Sequence, residues 1–262
     1  MLLRTVMDDE LEFLDMTRIT NYDALIGGME REDYLVLVGG DGTLNRFINA
    51  TANMRIAQDI LYLPAGSGND FAKDMQKESP ARPFSIREQL QNLPSVEVKG
   101  KTYRFLNGVG FGIDGYCCQV GDEIKKTPGK KVDYTGIAIK GLLFHFAPRN
   151  AKLTVDGREY TYEKVWIAPT MFGRHYGGGM IPTPAQSRDA EPKKLSLMVF
   201  HDSSKLKTLM IFPSIFKGEH VKNTKYVEVI EGREITVRFD APTSLQIDGE
   251  THLSITEYTA KI

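Results

Sequence analysis

The 262-residue chain has little cysteine, a single tryptophan and no long apolar run. Its two cysteines, Cys117 and Cys118, are adjacent, and neighbouring cysteines rarely form a disulfide and lack metal-ligand spacing. We therefore expect reduced thiols in a cytoplasmic protein. The most apolar stretch, residues 136–147, is interrupted by Lys140 and His145, and the first residues lack the apolar core of a signal peptide.

An excess of charge of one sign is also absent. The chain has 33 basic and 34 acidic side chains, for a net charge of −1. No global field attracts nucleic acid, so we expect no nucleic-acid partner, and any surface that binds phosphate or lipid must be local. The apolar fraction of 41% is ordinary for a globular protein, and the length allows one large domain or two.

Residues 1–95 predict an α/β nucleotide-binding domain. Hydrophobic patterning predicts strands at residues 11–19, 34–38 and 60–63, and helices at residues 22–29, 44–54 and 71–76. Strands that alternate with helices form a mostly parallel sheet, and ligands gather at the carboxyl ends of its strands. Two glycine-rich turns of this region follow predicted strands and therefore lie at such ends.

Residues 96–262 predict a β-rich, antiparallel sandwich. Two-residue alternation recurs at residues 96–99, 152–155, 163–168, 194–200, 226–230, 234–239 and 244–247. Turn pairs such as Asp156-Gly157 and Asp248-Gly249 separate several of these segments. Two helices are predicted to interrupt the strands, one at residues 132–146 and one within residues 205–216.

The first glycine turn is the most informative segment of the chain. Gly39, Gly40, Asp41, Gly42 and Thr43 separate a predicted strand from a predicted helix. This arrangement aims backbone N–H groups and a helix N-terminus at an anion, most often a phosphate. Asp41 would repel a bare phosphate but suits one that carries a divalent cation, so we predict that it contacts Mg²⁺. A plain tight turn remains the alternative for this segment alone.

The second glycine turn has the same character. Gly66, Ser67 and Asn69 follow the strand at residues 60–63 and directly precede a helix. Glycine allows a ligand to approach the backbone, and the Ser and Asn side chains can donate to phosphate oxygens. Helix capping explains the segment equally well, because Asn and Asp are preferred caps. The occurrence of both turns in one α/β region favours phosphate binding.

Five motifs together resemble one known family. The residues 39–45, 64–72, 105–114, 176–180 and 248–250 are similar, in the same order, to motifs of the diacylglycerol and sphingosine lipid kinase superfamily, bacterial branch. NAD kinases share the first motif, but the second and last favour the lipid kinases. The resemblance implies an NAD-kinase-like α/β domain, a β-rich lipid domain, and ATP-dependent transfer of phosphate to a lipid hydroxyl. It also implies Mg²⁺, a lipid substrate and transient contact with a membrane surface.

The resemblance implies specific roles for individual residues. Gly40, Asp41, Gly42, Thr43 and Asn45 would hold the nucleotide phosphates, with Ser67 contributing from the second turn. Gly39, Gly66 and Asn69 belong to the same predicted nucleotide site. Glu250 matches the general base of the family, and Asp248 lies beside it. A carboxylate within hydrogen-bond reach of the attacking hydroxyl is what in-line phosphoryl transfer requires.

The chain departs from the family pattern at three places. An Asn-Pro-x-Ser/Ala-Gly loop normally opens the family sequence, and the chain does not contain it, which we interpret as truncation or the loss of one wall of the site. Arg46 stands where glutamate is usual, and residues 192–196 replace the ligands of a structural magnesium site, so we expect none there. Two alternatives stay open: a nucleotide- or lipid-binding homologue without catalysis, and an NAD kinase-like enzyme.

Four further expectations concern segments outside these motifs. The glycines at residues 177–179 predict a flexible connection, with His175 the histidine of most interest beside it. The basic loop at residues 125–131 is expected to be solvated rather than bound to lipid headgroups. Phe144, Phe146, Phe212 and Phe216 are expected in the core rather than around an acyl chain.

Overall fold

A computed structural model describes residues 3–7, 9–78, 80, 82–127 and 132–262. Within these residues the α-helices are α1 Leu3–Val6, α2 Tyr22–Gly27, α3 Asp41–Ala50, α4 Asp70–Asp74, α5 Ile113–Lys125, α6 Tyr134–Lys140 and α7 Lys205–Ile211. Short 3₁₀ helices span Met16–Arg18, Phe212–Lys217 and His220–Lys222, and a π-helix spans Gly141–His145.

The strands are β1 Tyr34–Gly39, β2 Asp59–Pro64, β3 Phe84–Ser85, β4 Ser95–Val98, β5 Lys101–Arg104, β6 Gly108–Gly112 and β7 Arg149–Val155. They continue with β8 Arg158–Val165, β9 Ile167–Met171, β10 Leu195–Phe200, β11 Val227–Gly232, β12 Glu234–Ile247 and β13 Glu250–Lys261. The described part of the chain contains no helix that is long and apolar enough to cross a membrane. Residues 128–131 of the basic loop lie outside the described residues.

The small sheet confirms the predicted α/β region. β1 and β2 run parallel in register, and β3 adds an antiparallel strand to β2. α3 covers this sheet with Leu44, Phe47 and Ile48, whose spacing of three and four residues places them on one helix face. Parallel pairing brings the carboxyl ends of β1 and β2, and therefore both glycine turns, to the same edge of the sheet.

The predicted strand at residues 11–19 is wrong. A 3₁₀ helix forms at Met16–Arg18, and its cap is Asp15, whose carboxylate accepts hydrogen bonds from the Thr17 N–H and hydroxyl. Phe13 and Leu14 are about half exposed, without strand pairing. An aspartate that bonds to the backbone two residues ahead favours a turn over an extended strand.

The large sheet confirms the predicted β-rich, antiparallel region. Ten described strands form it, in the order β11-β10-β9-β6-β12-β13-β4-β5, with β7 on β12 and β8 on β7. The 14-residue β12 splits its pairing, because its first half pairs with β7 and its last residues pair with β6. Register shifts between these halves bend the strand, as expected of a sheet that folds over its own core. β4 begins at Ser95, and the domain division at residue 95 stays a prediction.

A layer of helices covers one face of the large sheet. α5, α6, the π-helix, α7 and the 3₁₀ helix at Phe212–Lys217 pack there around Trp166, Met198 and Phe200. α5 was not predicted from the sequence, because Gly115 and Gly121 weaken its helical pattern. Both glycines are needed for packing: a Cβ atom on Gly115 would lie 2.0 Å from the Ser244 carbonyl oxygen, and one on Gly121 would lie 2.7 Å from the Tyr134 ring.

Candidate active site at the meeting of the two sheets

The two glycine turns contact each other through their backbones. A Cβ atom on Gly66 would lie only 2.5 Å from the Gly40 Cα, and one on Gly40 would lie 2.9 Å from the Gly66 Cα. The carbonyl of Gly39 accepts hydrogen bonds from the Ala65 N–H and the Tyr62 hydroxyl, which holds the turns together. The sequence predicts each turn separately, and the parallel pairing of β1 with β2 joins them into one surface.

Asp41 connects the first turn to the second. One of its oxygens accepts from the Asp70 N–H at 2.9 Å; the other accepts from the Phe71 N–H at 2.9 Å and from the Asn107 side-chain amide at 3.1 Å. The carboxylate therefore caps α4 from outside that helix. A carboxylate has about four lone-pair sites, so Asp41 retains capacity for a cation. Its contact with Mg²⁺ stays a prediction.

The second turn is closed by its own asparagine. Asn69 adopts a left-handed conformation with φ of 53°, and its side-chain amide both accepts from the Gly66 N–H and donates to the Gly66 carbonyl, each at 2.9 Å. Asn69 thus shapes the turn, whereas Ser67 is exposed beside it. Of the residues predicted here, Ser67 is the one whose side chain faces solvent.

Asp248 is a buried carboxylate that accepts four hydrogen bonds. The donors are the backbone N–H groups of Leu106, Asn107 and Gly108 and the side-chain amide of Asn45, at 2.6–3.0 Å. Burial raises the pKa of Asp248, and these hydrogen bonds oppose that rise. Asp248, directly after β12, therefore ties residues 106–108 to α3. Asn45, predicted at the phosphates, makes this same contact.

Glu250 differs from Asp248 although only Gly249 separates them. Asp248 and Gly249 have φ of 48° and 89°, which forms a tight hairpin turn between β12 and β13. The turn places Glu250 in an exposed position, with Oε1 about 3.5 Å from where a Cβ atom on Gly42 would lie. Its carboxylate therefore lies beside the N-terminus of α3, at the predicted phosphate site.

The triple glycine at residues 177–179 lies against the second turn. All three glycines have positive φ, and the Gly178 N–H donates to the buried Asp70 carboxylate at 2.7 Å. Burial raises the pKa of Asp70, and the charge of Asp41 adds to this rise. The Lys73 ammonium group, 3.3 Å from the Asp70 carboxylate, opposes this rise in the pKa of Asp70. The segment predicted as a flexible connection is thus hydrogen-bonded to the site.

A buried ion pair at the site, Asp74 with Arg188, was not predicted from the sequence. Asp74 accepts from the Arg188 guanidinium and the His175 ring, each at 2.6 Å, and Arg188 also donates to the Asn107 side-chain carbonyl. Burial alone would raise the pKa of Asp74, but the hydrogen bonds from His175 and Arg188 and the charge of Arg188 outweigh it and lower that pKa. Arg188 is sandwiched by the rings of Phe71 and Phe172, with centroids at 4.9 and 5.6 Å.

These contacts form one continuous polar network. We use that name for Asp41, Asp74, Asn107, Arg188 and Asp248, which are linked through Asn107. Asn107 lies in a motif noted in the sequence, and that was the available signal for it. Asp74 and Arg188 carry no such signal, because they are separated by 114 residues and meet only in the folded chain.

The described residues bring no three His, Cys, Asp or Glu side chains together in an arrangement that would hold a metal ion. A magnesium ion at this site would therefore take most of its ligands from phosphate oxygens and water, as Mg²⁺ often does. The exposed Ser67 and the N-terminus of the ten-residue α3 fit a phosphate group beside it. The N–H groups of Asp41 and Gly42 have no intrahelical acceptor, because the helix begins there.

A small, mostly parallel sheet with two joined glycine turns, set against a large antiparallel sheet, defines an α/β–β protein whose candidate site lies where the two sheets meet. Residues 6–98 match the diacylglycerol kinase catalytic domain, and residues 107–259, more than half of the chain, match the YegS C-terminal NAD kinase beta sandwich-like domain. The chain therefore belongs to the diacylglycerol kinase-like lipid kinase family with this two-domain arrangement.

Bacterial relatives agree with this family. Two Staphylococcus aureus proteins, from strains Mu3 / ATCC 700698 and Newman and both named "Putative lipid kinase", are 29% identical over 229 residues, which cover 84% of this chain and 72% of each relative. A Bacillus anthracis crystal structure, "a putative diacylglycerol kinase", has a TM-score of 0.61 at 19% identity, covering 87% of this chain and 75% of that one. A second has a TM-score of 0.59 at 17% identity, covering 87% and 74%. The structural matches support the fold.

Proposed function

We propose that this protein is an ATP-dependent lipid kinase that phosphorylates a hydroxyl group of a diacylglycerol-like lipid at a membrane surface. Family membership and the names of the bacterial relatives support a lipid kinase. The two joined glycine turns support a nucleotide phosphate site between the sheets.

The observation that carries the proposal is the contrast between the carboxylates at this site. Asp41, Asp70, Asp74 and Asp248 each accept hydrogen bonds from backbone or side-chain N–H groups. Glu250 is exposed, and in the described residues its carboxylate has no hydrogen bond or ion pair. A general base must be free to take a proton and within reach of the phosphate site. Glu250 meets both conditions.

The residues divide the work as follows. The α3 N-terminus and Ser67 would bind and orient phosphate oxygens, and Asp41 would contact a cation bound to them. Magnesium-bound ATP would supply the transferable phosphoryl group. Glu250 accepts the proton of the lipid hydroxyl as that oxygen bonds to the γ-phosphorus, while the bond from phosphorus to the bridging oxygen breaks and ADP leaves. Asp248 holds α3 and residues 106–108 in place and is a positioning residue in this scheme.

Glu250→Gln tests this function. We expect about a 10²–10⁴-fold loss of phosphate transfer from radiolabelled ATP to a short-chain diacylglycerol in detergent micelles, because general-base catalysis contributes about that much. The matched control is Glu257→Gln, an exposed glutamate on the same strand that pairs with Arg238. Equal activity of the two variants would contradict the role of Glu250, and no transfer by the unaltered chain would contradict the proposed function.

A second function is favoured by one observation. Asp248, Asn45 and Asn69, all members of the predicted motifs, are occupied by hydrogen bonds within the protein. This arrangement also suits a protein that binds a nucleotide or lipid without turnover. Calorimetric ATP binding without transfer to any lipid would identify that function. Conversion of NAD to NADP in the same assay would identify an NAD kinase-like enzyme instead.

A further inference from the structure

The helical layer exposes apolar side chains on its outer face. Its inner face is buried against the large sheet through Ile137, Leu142, Ile211 and Ile215. The outer face carries side chains that we call the apolar patch: Ile139, Leu143, Phe144, Leu206, Met210 and Phe216. Phe144 and Leu206 are each 71% exposed and Met210 is 68% exposed. Clustered apolar exposure of this kind marks an interaction surface rather than an ordinary solvated one.

The patch is continuous across two helical segments. Ile139 of α6 and Leu143 of the π-helix that continues it are four residues apart, and Leu206 and Met210 are four apart in α7, so each pair lies on one side of its helical segment. The Lys205 ammonium group donates to the Leu143 carbonyl at 3.4 Å, which places the start of α7 against the π-helix. The expectation that Phe144 and Phe216 lie in the core is wrong, whereas Phe146 and Phe212 are buried as expected.

Lysines that form no ion pair in the described residues surround the patch. Residues 134–147 and 203–218 contain Lys140, Lys205, Lys207 and Lys217 and no aspartate or glutamate. The acidic residues that flank these ranges have other partners: Asp133 accepts from the Gly136 N–H, Asp202 pairs with His201, and Glu219 pairs with Lys222. The whole chain has a net charge of −1, so this local imbalance is not a property of the composition. Apolar side chains with lysines around them complement a bilayer, whose acyl chains lie beneath anionic headgroups.

The patch is connected to the candidate active site through the helical layer. The Ile215 carbonyl, next to Phe216, accepts from the Ile181 N–H at 3.0 Å. That segment follows the triple glycine, whose Gly178 donates to Asp70 in the second turn. A surface held this way can present the site to a lipid that stays in the bilayer.

We propose that the apolar patch docks on an anionic lipid bilayer, with Phe144 and Leu206 inserted among the lipids and the lysines on the headgroups. The proposal rests on the proposed function, because a kinase whose substrate is a membrane lipid must reach the bilayer surface.

Vesicle sedimentation without ATP tests the docking surface directly. We expect the full chain to sediment with phosphatidylcholine vesicles that contain phosphatidylglycerol, to bind pure phosphatidylcholine more weakly, and to dissociate as salt is raised. Phe144→Ser combined with Leu206→Ser should reduce the affinity about tenfold or more, since two buried apolar side chains are lost. Phe13→Ser combined with Leu253→Ser is the matched control, because both side chains are about half exposed elsewhere.

The lysines are tested in the same assay. Lys205→Gln with Lys217→Gln should reduce binding to anionic vesicles by about fivefold per lysine at low salt and leave binding to neutral vesicles unchanged. The control pair, Lys101→Gln with Lys152→Gln, changes two exposed lysines on strands of the large sheet. Equal loss in the patch and control variants, or no preference of the unaltered chain for anionic vesicles, would overturn the proposal.

Two further measurements separate the possible failures. The micelle assay with short-chain diacylglycerol does not depend on a bilayer, so patch variants should keep their activity there. Vesicle binding without kinase activity would contradict the proposed function and leave the docking surface intact. Kinase activity without vesicle binding would contradict the docking surface and leave the proposed function intact.

Sedimentation velocity detects a second copy of the chain on the patch. A dimer that dissociates in the Phe144→Ser, Leu206→Ser variant, in a chain that does not bind vesicles, would overturn the membrane assignment. Unchanged thermal unfolding shows that these variants fold.

Discussion

The polar network and the apolar patch differ in how their side chains are partnered and exposed to water. In the network, Asp41, Asp74 and Asp248 are mostly removed from water, and each is matched by several N–H donors. In the patch, apolar side chains remain exposed to water, beside four lysines that form no ion pair in the described residues. The network satisfies its groups within the chain and therefore holds the site together. The patch leaves its apolar side chains exposed to water, which is what a surface for an external partner requires.

The largest effect on stability is expected for Asp248→Ala, in the polar network. We expect a loss of about 3–5 kcal/mol in the free energy of unfolding, because three backbone N–H groups and the Asn45 amide would be left buried without an acceptor. Urea denaturation measures it. Glu250→Ala, two residues away and exposed, should change stability by less than about 0.5 kcal/mol. A similar small change for both variants would show that Asp248 is not a structural link.

Asp114 is a buried carboxylate whose hydrogen bonds do not offset the effect of burial on its pKa, so it makes stability depend on pH. Asp114, in the first turn of α5, is fully buried, and burial raises its pKa to about 6, against about 3.9 in the unfolded chain. The folded protein therefore binds this proton more tightly, so the ionised carboxylate lowers stability above about pH 6. That cost decreases as the pH falls from about 6 towards 4.

Asp114→Asn removes the titration. We expect this variant to be more stable than the unaltered chain at pH 8, by about 3 kcal/mol at most, with the difference shrinking towards pH 4. Urea denaturation of both proteins across this range gives the difference, in which the other carboxyl groups cancel. A difference that does not vary with pH would contradict the raised pKa.

The smallest expected effect comes from the contact between the two glycine turns. Gly66→Ala would place a Cβ atom 2.5 Å from the Gly40 Cα, so the turns must separate. We expect a loss of about 1–3 kcal/mol in stability and weaker ATP binding by calorimetry. Gly27→Ala, where a Cβ atom meets nothing within 4 Å, should be neutral or slightly stabilising. Unchanged ATP binding in Gly66→Ala would show that the contact between the two turns does not contribute to nucleotide binding.

Much of the fold was predictable because hydrophobic periodicity reports local structure. β1, β2, α3 and most strands of the large sheet lie within a few residues of their predicted positions. The errors have local physical causes: Asp15 turns the chain where a strand was expected, and two packing glycines hide α5. At the candidate site, the sequence predicted that both glycine turns lie at the carboxyl ends of strands, but not that Asn69 closes its own turn or that Asp248 is buried among N–H donors.

The sequence by itself determined the family and the two fold regions and predicted the segments that form the candidate site, because motif spacing and periodicity are properties of neighbouring residues. Only the tertiary structure decided which carboxylate is free. Asp248 and Glu250 are both carboxylates of one short motif. The turn at Asp248 and Gly249, both with positive φ, directs the Asp248 carboxylate inward to four N–H donors and leaves Glu250 exposed to solvent. The same holds for the apolar patch, since burial against the sheet selects which face of α6 and α7 remains outside. Side chains far apart in the chain, such as Asp74 and Arg188, acquire their partners only through packing.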